Sequence, residues 1–148
     1  MKKQSGFTLV EILIVVVILG ILAAIVVPQF SDASVQAKTS SLVSDLQTMR
    51  SQIQLYKIQH SGALPGAGAA TFTQAMTGTT TVLGAVSTGT PGTTGVYGPY
   101  MQKIPTNQFT DVATITEDGT LGDASAGWEF NTTTGAFHAD DTAAHAAL

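Results

Sequence analysis

The sequence predicts an α+β fold in which a long, kinked N-terminal helix, from about residue 7 to about residue 61, packs on a small antiparallel β-sheet. Residues 7–27 are almost entirely apolar, residues 35–56 carry apolar side chains at helical spacing, and residues 127–140 alternate around a turn. With 148 residues and no cysteine, the chain has room for one domain with a modest core and no disulfide.

The first element, residues 7–27, is long enough to span a bilayer as a helix, which takes roughly 20 apolar residues. A cleaved secretory signal would have a shorter apolar core. Lys2 and Lys3 precede the span, so the positive-inside rule predicts a cytoplasmic N-terminus with the rest of the chain outside. Glu11 is the one charge in the span, and a carboxylate in hydrocarbon needs a partner. Gly20 and Ala24 form a small-xxx-small pair, which either permits close helix contact or reflects composition.

The stretch GFTLVEILIVVVILGILAAIVVP resembles the N-terminus of type IV pilins and of type II secretion pseudopilins. The resemblance implies that a prepilin peptidase removes residues 1–6 by cutting between Gly6 and Phe7, and that the new Phe7 amine is N-methylated. It also implies that Glu11 pairs with this amine on a neighbouring subunit of a filament. The alternative is a carboxylate tolerated near the membrane interface.

The second half of the helix begins at Pro28, which is expected to kink the axis. One apolar stripe then follows helical spacing and predicts a face buried against a head domain. Gly62 and Pro65 are natural stop signals. We therefore divide the chain into a leader (1–6), a transmembrane or filament-core helix (7–27), and residues 28–148, which hold the amphipathic helix half and a globular α+β head. The stripe comprises Val35, Leu42, Leu46, Met49, Ile53 and Tyr56.

The head is predicted to contain a short helix in AATFTQAMTG, a weak strand in TTTVLGAV and a C-terminal hairpin, with a mobile tail after it. The segment GVYGPYMQKIPTNQF resembles the Gly-Pro-Tyr segment and Pro-Asn turn of the major pseudopilins of type II secretion. Large apolar groups among turn residues indicate a loop fixed to the core. The expected anchors are Tyr97, Gly98, Pro99, Tyr100, Pro105 and, in the hairpin, Trp128.

Two groups of side chains are candidate metal ligands. Glu117, Asp118 and Asp123 lie among glycines, and oxygen ligands on a flexible loop suit Ca²⁺. The family resemblance implies a calcium site near this position, and the alternative is a solvated acidic turn. The small residues around the second group fix its geometry poorly. This group comprises His138, Asp140, Asp141 and His145.

The composition argues against several functions. The net charge of −4 does not favour nucleic-acid binding, and no P-loop, dinucleotide-binding or catalytic-triad pattern is present, so no enzyme activity is expected. The resemblance implies a filament subunit, for which we favour a type II secretion pseudopilin. The alternatives are a true type IV pilin, forming surface fibres for adhesion, motility or DNA uptake, and a membrane-anchored binding domain that never polymerises.

The expected partners are other copies of the chain, the prepilin peptidase, the inner-membrane assembly machinery and minor pseudopilins. The chain would sit in the inner membrane with its head in the periplasm and then enter a periplasmic or extracellular filament.

Overall fold

The computed structural model describes residues 6–148. The predicted long helix is α1, Leu9–Gln59, and it is followed by two short helices and five short strands. The chain divides into two compact units, the first ending at Ala37 and the second spanning Lys38–Leu148. In chain order after α1 the elements are α2 (Phe72–Thr77), β1 (Thr80–Thr81), β2 (Val96–Tyr97), β3 (Ile115–Glu117), β4 (Trp128–Phe130), β5 (Phe137–Ala139) and α3 (Ala143–Ala146).

The first unit consists of residues 6–37, and from Leu9 onward it is helical. The apolar side chains are exposed all around the helix, as expected for a segment that is covered by lipid or by other subunits. By length and composition α1 can cross a membrane, and no part of its most apolar window is buried within the chain. Pro28 lies inside α1, so the helix continues through it, and the kink remains a prediction.

The second unit has a core built on one face of α1. The stripe residues Leu42, Leu46, Met49, Ile53 and Tyr56 are each at most 1% exposed, which confirms the predicted buried face. The first residue of the predicted stripe, Val35, is 51% exposed and does not belong to this core. The core also contains Phe72 and Met76 of α2, Trp128 and Phe130 of β4, and Phe137 of β5.

The strands form two sheets, and the α+β fold class is confirmed. β1 and β2 pair antiparallel, and a three-stranded sheet has the order β3-β4-β5. Within it β4 and β5 form the predicted antiparallel hairpin, whereas β3 runs parallel to β4. The larger sheet is therefore mixed rather than purely antiparallel. A parallel neighbour needs a connection that brings the chain back to the same end, and residues 118–127 supply it.

Two short helices have sequence-encoded starts. Thr71 caps α2 in a capping box with Gln74, as the predicted short helix requires. The tail, predicted to be mobile, instead forms α3, which begins at the N-cap Thr142. Ala146 of α3 is 6% exposed, and Arg50 donates a hydrogen bond to the Leu148 carbonyl at 2.9 Å, so this end of the chain is packed on the second unit. The run of alanines favours a helix once Thr142 caps it.

Candidate assembly site and head-domain anchors

The predicted cleavage and methylation site lies just before α1. Gly6 and Phe7 are exposed and non-helical, and the Phe7 side chain is 81% exposed. Residues 1–5 of the predicted leader lie outside the described residues. Glu11 lies in the first turn of α1, whereas Phe7 lies two residues before the helix begins, so the rule that helical residues four apart share a face does not apply to this pair.

Glu11 also caps its own helix. The Thr8 backbone N–H and hydroxyl both donate to Glu11 Oε2 at 3.3 Å, and the Glu11 N–H donates to Thr8 Oγ1 at 3.2 Å. This reciprocal arrangement is a capping box, which satisfies backbone donors that a helix start leaves unpaired. Sequence reasoning missed this role, although the spacing T-x-x-E in Thr8–Glu11 is the signature of such a box.

The surface of the apolar helix around Gly20 and Ala24 is open enough for another helix to approach. A Cβ built on Gly20 would have no atom within 4 Å, and the described neighbours of Gly20 and Ala24 on the helix are exposed. A helix face with small residues allows another helix to approach closely. The arrangement is compatible with the predicted small-residue contact, and the identity of the contacting helix stays a prediction.

The predicted anchor Tyr100 joins α1 to α2 within the second unit. The Tyr100 hydroxyl donates to Gln59 Oε1 at 2.6 Å, and the backbone N–H groups of Tyr100 and Met101 both donate to the Met76 carbonyl at 3.0 Å. Burial, followed by the nearby Tyr56 and Tyr97 phenols, raises the pKa of Tyr100 to about 12. The hydroxyl therefore stays protonated and able to donate at neutral pH.

Gly98 and Pro99 shape the turn that leads into Tyr100. Gly98 has φ +84°, and a Cβ there would lie 2.5 Å from the Gly78 carbonyl oxygen. Only glycine meets both the left-handed conformation and the close approach. The Gly98-Pro99 peptide bond is cis. Tyr97 of β2 lies edge-on to the His60 ring with centroids 5.3 Å apart.

Pro105 and Trp128, two of the predicted head anchors, are in contact. The Trp128 indole N–H donates to the Pro105 carbonyl at 2.8 Å, and Trp128 is fully buried. The adjacent Asn107 is also fully buried, and its amide donates to the Gly127 carbonyl at 2.8 Å. Its Oδ1 accepts from the Phe109 N–H at 2.9 Å, so the Pro-Asn turn is fixed from both sides.

His60 is a buried head residue that sequence reasoning missed. Its ring stacks on Tyr56 at 3.7 Å between centroids, and its Nε2 lies 2.9 Å from Thr80 Oγ1. His60 is 2% exposed. The available signal was its position four residues after Tyr56, which extends the buried stripe by one helical turn.

The three predicted calcium ligands are not gathered into one site. Glu117 Oε1 accepts from the Phe72 N–H at 3.4 Å, Asp118 accepts from the backbone and hydroxyl of Thr132, and Asp123 Oδ1 accepts from the Ser125 N–H at 2.9 Å. Within residues 6–148, no group of three or more His, Cys, Asp or Glu side chains is placed to hold a metal ion. Because each carboxylate already serves a different part of the chain, these residues do not fit the implied calcium site.

The second candidate group is also dispersed. His145 Nδ1 contacts Asp141 Oδ2 on the same turn, while His138 Nδ1 lies 2.7 Å from the Ala146 carbonyl. Asp140 instead accepts hydrogen bonds from residues 122–126. These side chains therefore stabilise the C-terminal segment rather than converge on one ion.

Comparison with known proteins agrees with the N-terminal features. Residues 1–27 match the prokaryotic N-terminal methylation motif. The chain is 48% identical over 59 residues to the type II secretion system core protein G of Pseudomonas aeruginosa, a match covering 40% of this chain and 42% of that protein. It is 43% identical over 61 residues to the core protein G of Vibrio cholerae, covering 41% and 42% respectively.

A second kind of relative shares a similar stretch. A fimbrial protein of Pseudomonas aeruginosa is 46% identical over 50 residues, covering 34% of this chain and 32% of that protein. The chain thus spans only about two fifths of the length of the curated core proteins that it matches. No solved structure matches it significantly. Over the matched two fifths, the chain is similar to the core proteins G of type II secretion systems and to a fimbrial protein.

Proposed function

We propose that this protein is a structural subunit of a type IV pilus-like filament, and that the filament is the pseudopilus of a type II secretion system. The observation that carries the proposal is a methylation motif at the start of a helix whose apolar side chains are exposed on every side. Such a surface has to be covered by lipid or by other apolar helices. A filament of stacked copies covers it without lipid.

Processing is the first step of the proposed mechanism. A peptidase cuts after Gly6, where the chain is exposed and not yet helical. The cut creates a cationic amine at Phe7, and methylation keeps its charge. Lys2 and Lys3 set the membrane orientation and leave with the leader, so the membrane form has a cytoplasmic N-terminus and a periplasmic head.

Assembly is the second step. The Glu11 carboxylate lies at the exposed first turn of α1, where the Phe7 amine of another copy neutralises it. Residues 7–27 then form the filament core, with Gly20 and Ala24 allowing close helix contacts and Pro28 at the outer end of the span. The inner-membrane assembly machinery and minor pseudopilins are the expected further partners.

The choice between pseudopilus and surface fibre rests on the relatives and on one loop. The core proteins G match more of this chain than the fimbrial protein does, at 40% against 34% for the first of each. The Gly98-Pro99-Tyr100 anchor also resembles the major pseudopilin segment. The fimbrial relative supports a surface pilin as the second candidate.

Variants of the first helical turn test the assembly mechanism because they separate charge from capping. Glu11→Gln retains a capping-box acceptor but removes the charge, and we expect both Glu11→Gln and Glu11→Ala to abolish filaments. Thr8→Ser keeps the cap and is expected to assemble normally. Filament formation is scored by electron microscopy of sheared cells. Normal filaments of Glu11→Gln alongside failure of Glu11→Ala would show that Glu11 acts only as a cap.

Two further measurements test the function itself. Mass spectrometry of the mature N-terminus is expected to find a methylated Phe7, and a chain retaining residues 1–6 would contradict both filament functions in favour of a non-polymerising anchor. Deletion of the protein is expected to block export of folded proteins by the type II system. Long surface fibres built of this chain, together with intact export, would instead identify a surface pilin.

A further inference from the structure

The loop from Asp118 to Gly127, which connects the parallel strands β3 and β4, is organised by a carboxylate that lies outside it. We infer that Asp140 holds this loop in place of a bound cation, so that the head of this protein folds without calcium. This role of Asp140 belongs to the folding of residues 38–148 and does not depend on the proposed filament function.

The Asp140 side chain is fully buried and reaches three donors of the loop. Its Oδ1 accepts from the Gly122 N–H at 2.9 Å, and its Oδ2 accepts from the Ala126 N–H at 3.0 Å and from the Ser125 hydroxyl at 3.1 Å. The Asp140 carbonyl also accepts from the Ala124 N–H at 2.7 Å. A buried carboxylate is stable when several donors surround it, and here the donors are mostly backbone N–H groups of the loop.

The loop carboxylates Asp118 and Asp123 already accept hydrogen bonds from the chain itself. Asp118 accepts from the Thr132 N–H at 2.9 Å and from the Thr132 hydroxyl, and Asp123 accepts from the Ser125 N–H at 2.9 Å. Ca²⁺ takes about 6–8 oxygen ligands at 2.3–2.6 Å, so a bound ion would have to break these bonds. The loop presents N–H donors toward Asp140, and N–H donors repel a cation.

Backbone conformation ties the same loop to α3. Gly122 has φ +73°, and a Cβ there would lie 2.5 Å from the Ala143 backbone nitrogen. Ala124 also lies in the left-handed region, with φ +60°. The C-terminal stretch therefore supplies both the anion that fills the loop and the backbone against which it packs. The loop is therefore held by Asp140 and by the Ala143 backbone, which both belong to the same chain, rather than by a metal ion.

The wild-type full chain, purified in detergent, provides the first test. Melting followed by circular dichroism is expected to give the same Tm in millimolar CaCl₂ as in EDTA. Calcium at 100 times its Kd would raise Tm by roughly 10 °C. An increase of that size on adding calcium would overturn the inference.

Amide hydrogen exchange on the same protein gives a local readout that needs no variant. The Gly122, Ala124 and Ala126 amides are expected to be protected in EDTA as strongly as in calcium, because Asp140 accepts their hydrogen bonds. Rapid exchange in EDTA that slows only when calcium is added would contradict the assignment.

A matched pair of variants tests the residue. Asp140→Asn replaces one acceptor oxygen with a donor facing other donors and is expected to lower Tm by roughly 5–10 °C in both solutions. Asp123→Asn, an exposed change that keeps an acceptor for the Ser125 N–H, is expected to leave Tm nearly unchanged. Equal effects of the two substitutions would contradict a special role for Asp140, and the exchange experiment decides the question if Asp140→Asn does not fold.

Discussion

Glu129 lies on the central strand of the mixed sheet, opposite His138 of β5, and is 2% exposed. Its Oε2 has no hydrogen-bond partner among the described residues. Burial raises the pKa of Glu129, the His138 charge opposes the increase, and the Asp118 and Asp140 charges add to it. A carboxylate in this position reduces stability whenever it is ionised, because its desolvation is incompletely compensated.

The ionisation of Glu129 is therefore expected to lower the stability of the head as the pH rises. Because the pKa is raised on folding, the folded state binds more protons than the unfolded state between the ordinary glutamate pKa and the raised one. The stability that Glu129 contributes is fully present below the ordinary glutamate pKa and is lost as the pH rises through the raised pKa of the folded state. Glu129→Gln should thus raise the free energy of unfolding by about 1 kcal/mol at pH 7 and by less in acid.

Denaturant unfolding at neutral and acidic pH measures this difference. Glu117→Gln on the neighbouring strand is the control, since Glu117 is exposed and glutamine keeps an acceptor for the Phe72 N–H, so stability should change by less than about 0.5 kcal/mol. A neutral-pH loss of stability in Glu129→Gln, with no change in Glu117→Gln, would show that the ionised carboxylate is stabilising.

Residues also differ in how well the sequence reveals them. Tyr100 stands out because a large side chain among turn residues such as Pro105 needs a buried environment, and Trp128 stands out as a large apolar residue of the predicted hairpin. The sequence indicates Asp140 only as a potential metal ligand, because its hydrogen-bond donors lie 14 to 18 residues away and no local pattern encodes that contact. Glu11 stands out as an isolated charge in the apolar span, and the T-x-x-E spacing from Thr8 also encodes its local capping role.

At the scale of elements, α1 was predictable because its pattern is long. Its apolar first part and its striped second part each repeat over several turns, and the predicted ends fall within two residues of Leu9 and Gln59. The parallel pairing of β3 with β4 was not predictable. Each strand has three residues, and such a run cannot specify the direction of its neighbour.

The striped part of α1 stabilises the head through burial. Leu46 is 1% exposed in the core, and we expect Leu46→Ala to reduce the free energy of unfolding by about 2–5 kcal/mol through lost burial and the cavity it leaves. Leu55 belongs to the same helix but is 41% exposed, so Leu55→Ala should cost less than about 1 kcal/mol. Equal losses for both, measured by denaturant unfolding, would contradict the assignment of the buried face.

At the scale of the whole molecule, the two compact units differ in what they bury. The described apolar residues before Ala37 are exposed, whereas the core residues all follow Lys38. The second unit contains the core, both sheets and the hydrogen bonds that fix the Tyr100 and Asn107 turns. We therefore predict that residues 38–148 fold without the preceding apolar helix.

A fragment of residues 38–148 is expected to be soluble without detergent and to melt in one cooperative transition, because its core is contained within it. A fragment of residues 62–148 is the control. It lacks Leu42, Leu46, Met49, Ile53 and Tyr56, the face of α1 on which the core is built, and it should not fold. Circular dichroism and amide exchange distinguish the two outcomes. A cooperative transition in the shorter fragment would show that α1 is dispensable for the head, and failure of the longer one would show that the apolar helix contributes to its stability.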